Sequence, residues 1–384
     1  MRIAHYMPGL RERGGIATYI CRISNAQIAS DHQVYYFDTC SFSGGKNESK
    51  NFSIFVKDEK ELFIKAKEYE LDIIHLHTNI GVDPPNNMAV IRTIHNNNPY
   101  CPSGSRYLKR WSQPCDRAYS LGGCFWGHLV DRCGSVRPPK LYNEFQRTWQ
   151  DMDTLAGVTV IANSQFVKDQ MIRSGYSSYN VHVLRYPAPN VREYFSPDQG
   201  NVPRFIFLGR ITPEKGGDWL LRALAEVKVP VQVDIAGAGN QAQEQAIRLL
   251  AEHLGLMNKV TFHGWVNEAQ ALQLIKEARA LVFPSVWHEP AGIVSLEAAA
   301  VGRPIIVSKV GGIPEYAERL QNAILVEPND VDGLARSIEQ LAGDWSLAQQ
   351  MGLKGRQMVK EYFSLESHLM ELMGLYELAI SQES

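Results

Sequence analysis

Short apolar runs alternate with helical patterns along the first half of the chain. The runs contain few polar residues, as expected for parallel strands that helices cover on both faces. After the first run, Ile16, Tyr19, Ile20 and Ile23 mark one face of a helix. The pattern predicts a doubly wound α/β sheet whose strands lie at 2–7, 32–38, 71–78, 89–96, 158–163 and 181–187.

A second series of the same kind begins at residue 203. Its helical stretches occupy 217–227, 240–254 and 267–278. Two such series predict two Rossmann-like domains. The strands of the second domain are expected at 203–210, 231–237, 259–265, 281–285, 304–309 and 323–327.

The boundary between the two domains is expected between 186 and 203, a segment that contains four prolines. We therefore predict an N-terminal domain at 1–187 and a C-terminal domain at 188–363. The last segment, 364–384, is amphipathic, and we expect it to pack back on the N-terminal domain.

The periodicity breaks down between 101 and 148, which we interpret as a long irregular insertion. It holds eight basic residues against three acidic ones, and Tyr107, Trp111, Phe125 and Trp126 are interspersed. Irregular segments of this length are often functional, and the aromatic residues argue against disorder. Two interpretations stay open. One is a solvated basic loop with a small core, and the other is a contact surface for an anionic acceptor or an anionic membrane.

Composition narrows the class of protein. The 384 residues carry a net charge of −2, which does not suggest a partner nucleic acid. The N-terminus has no secretory signal and no apolar run reaches the length of a membrane span, so we expect a cytoplasmic protein, or one peripheral to a membrane.

Cys21 and Cys40 are isolated. Free thiols are preferred over a zinc or disulfide cluster for the four cysteines of the insertion, Cys101, Cys115, Cys124 and Cys133.

The segment "HEPAGIVSLE" at 288–297 places two carboxylates around the start of a helix. The pattern predicts Glu289 in the loop after a buried strand and Glu297 inside the helix that begins near Gly292. Backbone N–H groups at a helix start can bind an anion, and ligands of open α/β sheets bind at this edge. Taken alone, the segment would favour a helix-capping glutamate together with a surface glutamate.

A second loop, after the strand at 203–210, carries Arg210 and Lys215. A forked guanidinium and a mobile ammonium are a common pair for a diphosphate. Such a pair does the electrostatic work of a metal ion on a leaving diphosphate, so we expect no metal at the site. No P-loop is present. The motif "GAGNQA" at 237–242 lacks an acidic residue at the end of the next strand, which disfavours NAD.

These motifs together resemble the retaining GT-B glycosyltransferases of family 4. "FLGRITPEKGGDWLLRAL" (207–224) resembles the G-R-x₄-K-G segment of that family, and "FPSVWHEPAGIVSLEAAAVGRPIIVSKVGGIPE" (283–315) its E-x₇-E signature. "PGLRERGGIATY" (8–19) resembles its N-terminal glycine loop. The strands "IIHLHT" and "IRTIHN" and the unit "VTVIANSQFVKDQMIRSG" also match. The resemblance covers nearly the whole chain except 101–148, and Ala291 stands where an aromatic residue is frequent.

The resemblance implies two Rossmann-like domains that face a central cleft, with a UDP- or GDP-type sugar bound mainly to the C-terminal domain. It implies that Arg210 and Lys215 bind the diphosphate. It also implies that Glu289 contacts the donor sugar and that Glu297 binds the ribose hydroxyls. The donor-binding set is completed by Gly14, Gly15, Gly292, Ile293 and Val294.

The same resemblance places His95 in the cleft near the donor sugar, so that His95, Glu289, Arg210 and Lys215 form the expected catalytic set. For His75 and His77, which share one face of a strand, packing or hydrogen bonding is preferred.

The implied reaction is metal-independent transfer of a sugar, with retention, to a glycan, a polysaccharide precursor or a lipid-linked acceptor. We find no candidate nucleophile on the opposite face of the sugar, so we favour front-face attack in which the departing diphosphate takes the acceptor's proton. The alternatives are another GT-B enzyme, such as a nucleotide-sugar epimerase or a starch- or glycogen-type polymerising transferase, and a non-catalytic nucleotide-sugar-binding protein. No cofactor is expected.

Overall fold

The computed structural model describes residues 1–9, 14–39, 51–196, 199 and 202–382, so Cys40 lies outside the described residues. Contacts divide the chain into two compact units. The first unit comprises Met1–Ser105, Arg117–Tyr186 and Leu365–Ser384, and the second comprises Arg106–Asp116 and Pro187–Ser364.

The first unit is built on a seven-stranded sheet in which every neighbouring pair is parallel. The strand order is β3-β2-β1-β4-β5-β8-β9. Its strands are β1 (Arg2–Tyr6), β2 (Gln33–Asp38), β3 (Asn51–Phe55), β4 (Ile73–Leu76), β5 (Val90–Ile94), β8 (Thr159–Ala162) and β9 (Val181–Val183). Its helices are α1 (Gly15–Ala29), α2 (Glu59–Glu68), α3 (Leu121–Leu129), α4 (Pro138–Thr154), α5 (Gln165–Arg173) and α13 (Leu365–Gln382).

Every residue of β4, β5 and β8 is buried, as the apolar runs of the sequence predict for central parallel strands. Helix α1 buries Tyr19, Ile20 and Ile23, three of the four residues that mark its predicted face. Helix α13 hydrogen-bonds to this unit, because the Tyr376 hydroxyl accepts from Gln27 Nε2 of α1 at 3.2 Å. The α/β prediction is confirmed for this half of the chain.

The segment expected to be an irregular insertion, 101–148, contains regular structure, and that interpretation is wrong for much of its length. Helix α3 begins with a side-chain cap, because Ser120 Oγ accepts from the backbone N–H of Gly123 at 3.3 Å. Helix α4 has prolines in its first turn, where no N–H partner is needed. Residues 106–116 belong to the second unit, since Tyr107 is buried in its hydrophobic core.

The second unit contains a six-stranded parallel sheet with the order β12-β11-β10-β13-β14-β15 and a two-stranded antiparallel pair. Its strands are β6 (Tyr107–Leu108), β7 (Gln113–Pro114), β10 (Arg204–Leu208), β11 (Gln232–Ala236), β12 (Val260–Gly264), β13 (Ala280–Phe283), β14 (Ile305–Ser308) and β15 (Ala323–Val326). Its helices are α6 (Gly217–Glu226), α7 (Gln241–His253), α8 (Glu268–Glu277), α9 (Ile293–Val301), α10 (Ile313–Leu320), α11 (Val331–Gly343) and α12 (Trp345–Tyr362).

Two buried arginines fasten the first part of the expected linker to the second unit. Arg303 donates to the carbonyls of Phe195 and Ser196. Arg356 donates to the carbonyls of residues 191, 192 and 193. A guanidinium has five donors, so each arginine can satisfy several carbonyls at once. Among the described residues of the expected boundary, those at 191–196 are therefore anchored to the second unit.

None of the described helices combines the length and the apolar content that crossing a bilayer requires.

Three glycines let loops of the second unit pack backbone against backbone. A Cβ at Gly216 would lie 1.8 Å from the carbonyl oxygen of Pro284, and one at Gly237 would lie 1.7 Å from that of Gly209. A Cβ at Gly311 would lie 2.3 Å from the carbonyl oxygen of Glu289. All three residues also have positive φ, which side chains disfavour. These contacts join the loops that follow β10, β11, β13 and β14.

We predict that Gly216→Ala lowers the free energy of unfolding by about 2–4 kcal/mol, because the new methyl group meets a rigid carbonyl at a positive φ. Urea unfolding followed by circular dichroism measures the change. Gly343→Ala is the control, since that glycine ends α11 and a Cβ added to it would have no atom within 4 Å, so this variant should not lose stability. Equal stability of Gly216→Ala and the wild type would show that the loop after β10 can move away from Pro284.

Candidate functional site

The loops after β10 and β13 bring a lysine and a glutamate together in the second unit. Lys215 ends the 3₁₀ turn Pro213–Lys215, and its Nζ donates to Glu289 Oε1. Both side chains are largely buried, with 12% and 7% exposed. Burial of an ion pair is stabilising only when the geometry and further hydrogen bonds compensate for the lost hydration.

The surroundings of this pair provide such compensation. Ser285 Oγ donates to the same Glu289 Oε1 at 2.8 Å. The Lys215 ammonium lies 5.4 Å from the centre of the Phe283 ring and 5.2 Å from that of Trp287. Aromatic faces attract a cation at this range. The site therefore holds one positive and one negative group in fixed positions beside an aromatic wall.

The strand–loop–helix interpretation of 281–302 is confirmed. Glu289 lies in the loop after β13, and α9 begins at Ile293 with Gly292 as its N-cap at a φ of 76°. Gly302 ends the helix, also at positive φ. Glu297 lies inside α9 and is half-buried. Gly292 has no side chain that could cap α9, and its carbonyl accepts from the backbone N–H of Ser295 at 3.0 Å.

Arg210 is not held in the same way. Its side chain is 63% exposed, and the nearest carboxylate oxygen, on Glu214, is 3.6 Å away. A pair of this kind contributes little, so the guanidinium can reorient at small cost. The structure thus brings Lys215 and Glu289 into contact and leaves Arg210 at the surface of the same loop.

His288 is a neighbour of Glu289 that the sequence reasoning missed. Its Nδ1 accepts from the Gly311 N–H at 3.1 Å, so its Nε2 carries the proton donated to Asp116 Oδ1 at 2.9 Å. Burial lowers the pKa of His288 to about 4, with Arg106 acting in the same direction and Asp116 against it. Its position directly before Glu289 was the only signal in the sequence.

In the first unit, His95 belongs to a continuous series of hydrogen bonds that we call the histidine chain. The bonds between His95 Nε2 and His77 Nδ1 and between His77 Nε2 and His5 Nδ1 are both 3.0 Å long. The preference for hydrogen bonding at His75 and His77 is confirmed. In order, the histidine chain comprises Asn163, Tyr186, His95, His77, His5, Gln27, Tyr376, His75 and Thr93.

The amide of Gln27 sets the direction of these bonds. Its Nε2 donates to Tyr376, so its Oε1 must accept from His5 Nε2. A neutral His5 then has an accepting Nδ1, which requires a proton on Nε2 of His77. The same reasoning puts the proton of His95 on Nε2 and makes its Nδ1 the acceptor of the Tyr186 hydroxyl. Both ring nitrogens of His95 are therefore engaged within the first unit.

Burial keeps these histidines neutral. It lowers the pKa of His5 to about 4 and that of His95 to about 3, and it lowers the pKa values of His75 and His77 well below the usual range. Ligand atoms of His5, His75 and His77 lie within 4.8 Å of one another, close enough for a metal ion. Each of their ring nitrogens, however, already has a hydrogen-bond partner. A metal would have to break these bonds, so the cluster fits a hydrogen-bonded core better than a metal site.

The N-terminal glycines and the cysteines of 101–148 were also predicted to be functional or were considered as ligands. Gly14 and Gly15 are exposed at the start of α1, and residues 10–13 of the predicted glycine loop lie outside the described residues. Cys101, Cys115, Cys124 and Cys133 form no disulfide with one another.

Two Asp-x-Asp sequences, of a kind that can hold Mg²⁺, occur at 151–153 and 330–332. The first is engaged structurally, because Asp151 is buried and ion-paired with Arg92. In the second, Asp330 caps α11 by accepting from Gly333. Neither sequence lies beside Lys215 and Glu289 in the chain.

Comparison with known proteins identifies the family. The model of the family "Glycosyl transferases group 1" matches residues 195–358. The alpha-maltose-1-phosphate synthase of Mycobacterium tuberculosis is 31% identical over 273 residues, which cover 64% of this chain and 70% of that protein. The chain belongs to the glycosyl transferases of group 1. The matched region includes Arg210, Lys215, Glu289 and Glu297.

The chain spans less than half the length of some relatives that it matches. It spans 46% of the length of an uncharacterised glycosyltransferase from Methanocaldococcus jannaschii, at 32% identity over 47% of this chain.

Solved structures show the same fold. A sucrose-phosphate synthase from Thermosynechococcus elongatus has a TM-score of 0.77 at 19% identity, with both chains fully covered. HepE of Anabaena, crystallised with UDP-glucose, has a TM-score of 0.67 at 17% identity and covers 97% of this chain and 98% of its own. The predicted GT-B fold is confirmed.

We predict that Lys215→Met lowers the free energy of unfolding by about 3 kcal/mol, because it leaves the Glu289 carboxylate buried without its partner. Lys215→Met/Glu289→Gln should lose clearly less than the sum of its single variants. A double-mutant cycle in urea measures this coupling. The exposed pair Lys309–Glu327, with 57% and 66% exposed, is the control and should show coupling below about 1 kcal/mol. Additive effects at Lys215 and Glu289 would contradict a buried pair.

We also predict that stability falls as the pH drops below about 6.5. Below this pH the histidines of the unfolded chain bind protons. In the folded chain the buried histidines stay neutral until the pH reaches their lowered pKa values, so protonation favours the unfolded state. Between pH 6.5 and 4, His95→Gln should reduce the slope of unfolding free energy against pH by about 1.4 kcal/mol per unit. Urea unfolding at several pH values measures it. An unchanged slope in His95→Gln would refute the neutral state of His95.

Proposed function

We propose that this chain is a retaining glycosyltransferase of family 4 that transfers a sugar from a UDP- or GDP-linked donor to a hydroxyl acceptor. The observation that carries the proposal is the Lys215–Glu289 pair between the loops after β10 and β13, next to the start of α9. Ligands of open α/β sheets bind at the carboxyl ends of strands. The family membership and the UDP-glucose complex of HepE support the same conclusion.

The pair explains how a donor could enter an already satisfied site. A diphosphate carries more negative charge than one carboxylate and competes with Glu289 for the Lys215 ammonium. Once Lys215 turns to the diphosphate, Glu289 becomes an acceptor for sugar hydroxyls. Arg210 is exposed and only weakly paired with Glu214, so its guanidinium can turn to the same phosphates at small cost. The ligand thereby replaces one ion pair with another.

The rest of the donor is assigned to α9 and its N-cap. The N–H groups of Gly292, Ile293 and Val294 form the positive end of the helix dipole, where phosphate oxygens are stabilised. Glu297, one turn further, is assigned to the ribose hydroxyls. Gly14 and Gly15 are exposed at the start of α1 and carry no side chain that would block a ligand.

For the chemical step we propose front-face attack without a metal. The acceptor hydroxyl attacks the anomeric carbon on the side from which the diphosphate leaves, and a diphosphate oxygen takes the hydroxyl proton. Lys215 and Arg210 stabilise the negative charge that develops on the leaving group. His95, whose pKa is lowered to about 3 by burial, does not act as a base in this scheme; it contributes a neutral ring.

The acceptor is proposed to be a glycan, a polysaccharide precursor or a lipid-linked hydroxyl. An epimerase of the same fold is the alternative within the enzyme class, and an acceptor-free assay separates the two, because only an epimerase converts the nucleotide sugar without transferring it. Tight binding of UDP or GDP without any turnover would instead favour a non-catalytic binding protein.

We predict that Arg210→Ala reduces kcat/KM for the nucleotide sugar about a hundredfold or more while the free energy of unfolding stays within about 0.5 kcal/mol of the wild type. A thermal-shift screen over nucleoside diphosphates and their sugars first selects the donor, and a transfer assay then measures turnover. The control is Arg222→Ala, an exposed arginine on α6, which should keep full activity. Full activity of Arg210→Ala would show that Arg210 does not bind the diphosphate.

A further inference from the structure

Helix α3 presents its largest apolar side chains to solvent. Leu121, Phe125, Trp126 and Leu129 are 57%, 47%, 58% and 50% exposed. Positions 121, 125 and 129 are each four residues apart, and 126 adjoins 125, so the four side chains share one face of the helix. The opposite face is made of small or polar residues, with Gly127 and His128 buried. This is the inverse of a helix that packs its apolar face against a core.

Specific contacts hold α3 in this orientation. His128 Nδ1 donates to the Cys124 carbonyl at 2.8 Å, and its Nε2 lies 3.0 Å from Glu144 of α4. Arg117, just before the helix, pairs with the buried Asp131 just after it. A Cβ at Gly127 would lie 3.1 Å from Cys133 Sγ, so the inner face has little room for a larger residue. The outward apolar face is therefore built into the local structure.

Three exposed basic residues follow α3 in the chain. Arg132, Arg137 and Lys140 lie between α3 and the first turn of α4, and all three are exposed. The acidic residues of the same stretch are engaged elsewhere, since Asp131 is buried against Arg117 and Glu144 is bonded to His128. Val136 and Tyr142, in the same stretch of sequence as the three cations, add exposed apolar surface and are 54% and 60% exposed. The stretch 121–142 thus combines an exposed apolar face with a net positive charge.

We propose that α3 and the start of α4, residues 121–142, form a membrane-docking surface that inserts Leu121, Phe125, Trp126 and Leu129 among the lipids of an anionic bilayer. Trp, Phe and Leu on one face of a short helix, with Arg and Lys beside it, are the composition of an interfacial amphipathic helix. The three cations match anionic headgroups, where each contributes to binding in low salt. A protein partner of neutral surface would gain nothing from them.

The test is co-sedimentation of the full chain with vesicles of equal parts phosphatidylglycerol and phosphatidylcholine. The wild type should bind these vesicles in low salt, bind phosphatidylcholine vesicles at least about tenfold more weakly, and lose affinity as salt rises. Absence of binding to the anionic vesicles in low salt overturns the proposal.

Two variants separate the apolar and the ionic contributions. F125S/W126S and R132Q/R137Q/K140Q should each weaken binding to the anionic vesicles about tenfold or more. The controls are Leu249→Ser, which removes a 54% exposed leucine on α7, and K57Q/K60Q/K67Q, which removes three charges in and around α2. The proposal is overturned if both test variants still bind the anionic vesicles like the wild type. It is also overturned if the control variants lose as much affinity as the test variants.

A spectroscopic measurement keeps the proposal testable if a variant fails to fold. Brominated phosphatidylcholine mixed into the anionic vesicles should quench part of the tryptophan fluorescence of the wild type, and Trp126→Phe should lose that part. Quenching that is equal in both chains overturns the insertion of α3. A wild type that sediments as a dimer, while F125S/W126S is a monomer and neither binds vesicles, would assign the surface to a second copy of the chain instead.

Discussion

The close approach of backbone to backbone at three glycines is the constraint on which the candidate site of the second unit depends. Gly216 lies against the Pro284 carbonyl, Gly237 against that of Gly209, and Gly311 against that of Glu289. No side chain larger than hydrogen fits at these distances, so the loops after four neighbouring strands are fastened to one another. The lysine that ends one loop and the glutamate in another are then held within bonding distance before any ligand arrives. This is preorganisation by the main chain rather than by side-chain packing.

Local sequence signals predicted the parts of the site that depend on nearest neighbours. Helix α9 lies between Gly292 and Gly302, because glycine adopts the positive φ of both caps readily. These two limits placed Glu289 in the loop and Glu297 in the helix. Signals of this kind failed where a contact joins distant positions. His288 bonds to Asp116, which is 172 residues away, and no periodicity in either segment indicates the other.

The segment 101–148 shows a different limit of sequence reasoning. Its helix α3 contains three glycines, which lower helix propensity, and its large apolar residues face outward. The sequence therefore shows neither a high helix propensity nor the apolar face that a helix normally packs against a core. Residues 106–116 belong to the second unit through the buried Tyr107, although the rest of the segment belongs to the first. The sequence alone shows only a break in periodicity there. The direction of the apolar face appears once the positions of Gly127 and His128 are known.

The histidine chain and the Lys215–Glu289 pair are opposite arrangements of buried polar groups, and the difference bears on function. The histidine chain keeps four imidazoles neutral, each nitrogen bonded, and its direction is set by the orientation of Gln27. Such a network is stable because no charge is buried, and for the same reason it offers no group that gains or loses a proton near neutral pH. The Lys215–Glu289 pair of the second unit is charged instead, and it lies beside the aromatic rings of Phe283 and Trp287. An ion pair that is partly desolvated can exchange its anion for a stronger one at modest cost, whereas a neutral network cannot. Ligand charge is therefore expected to act on Lys215 and Glu289, while the histidines fix the shape of the first unit.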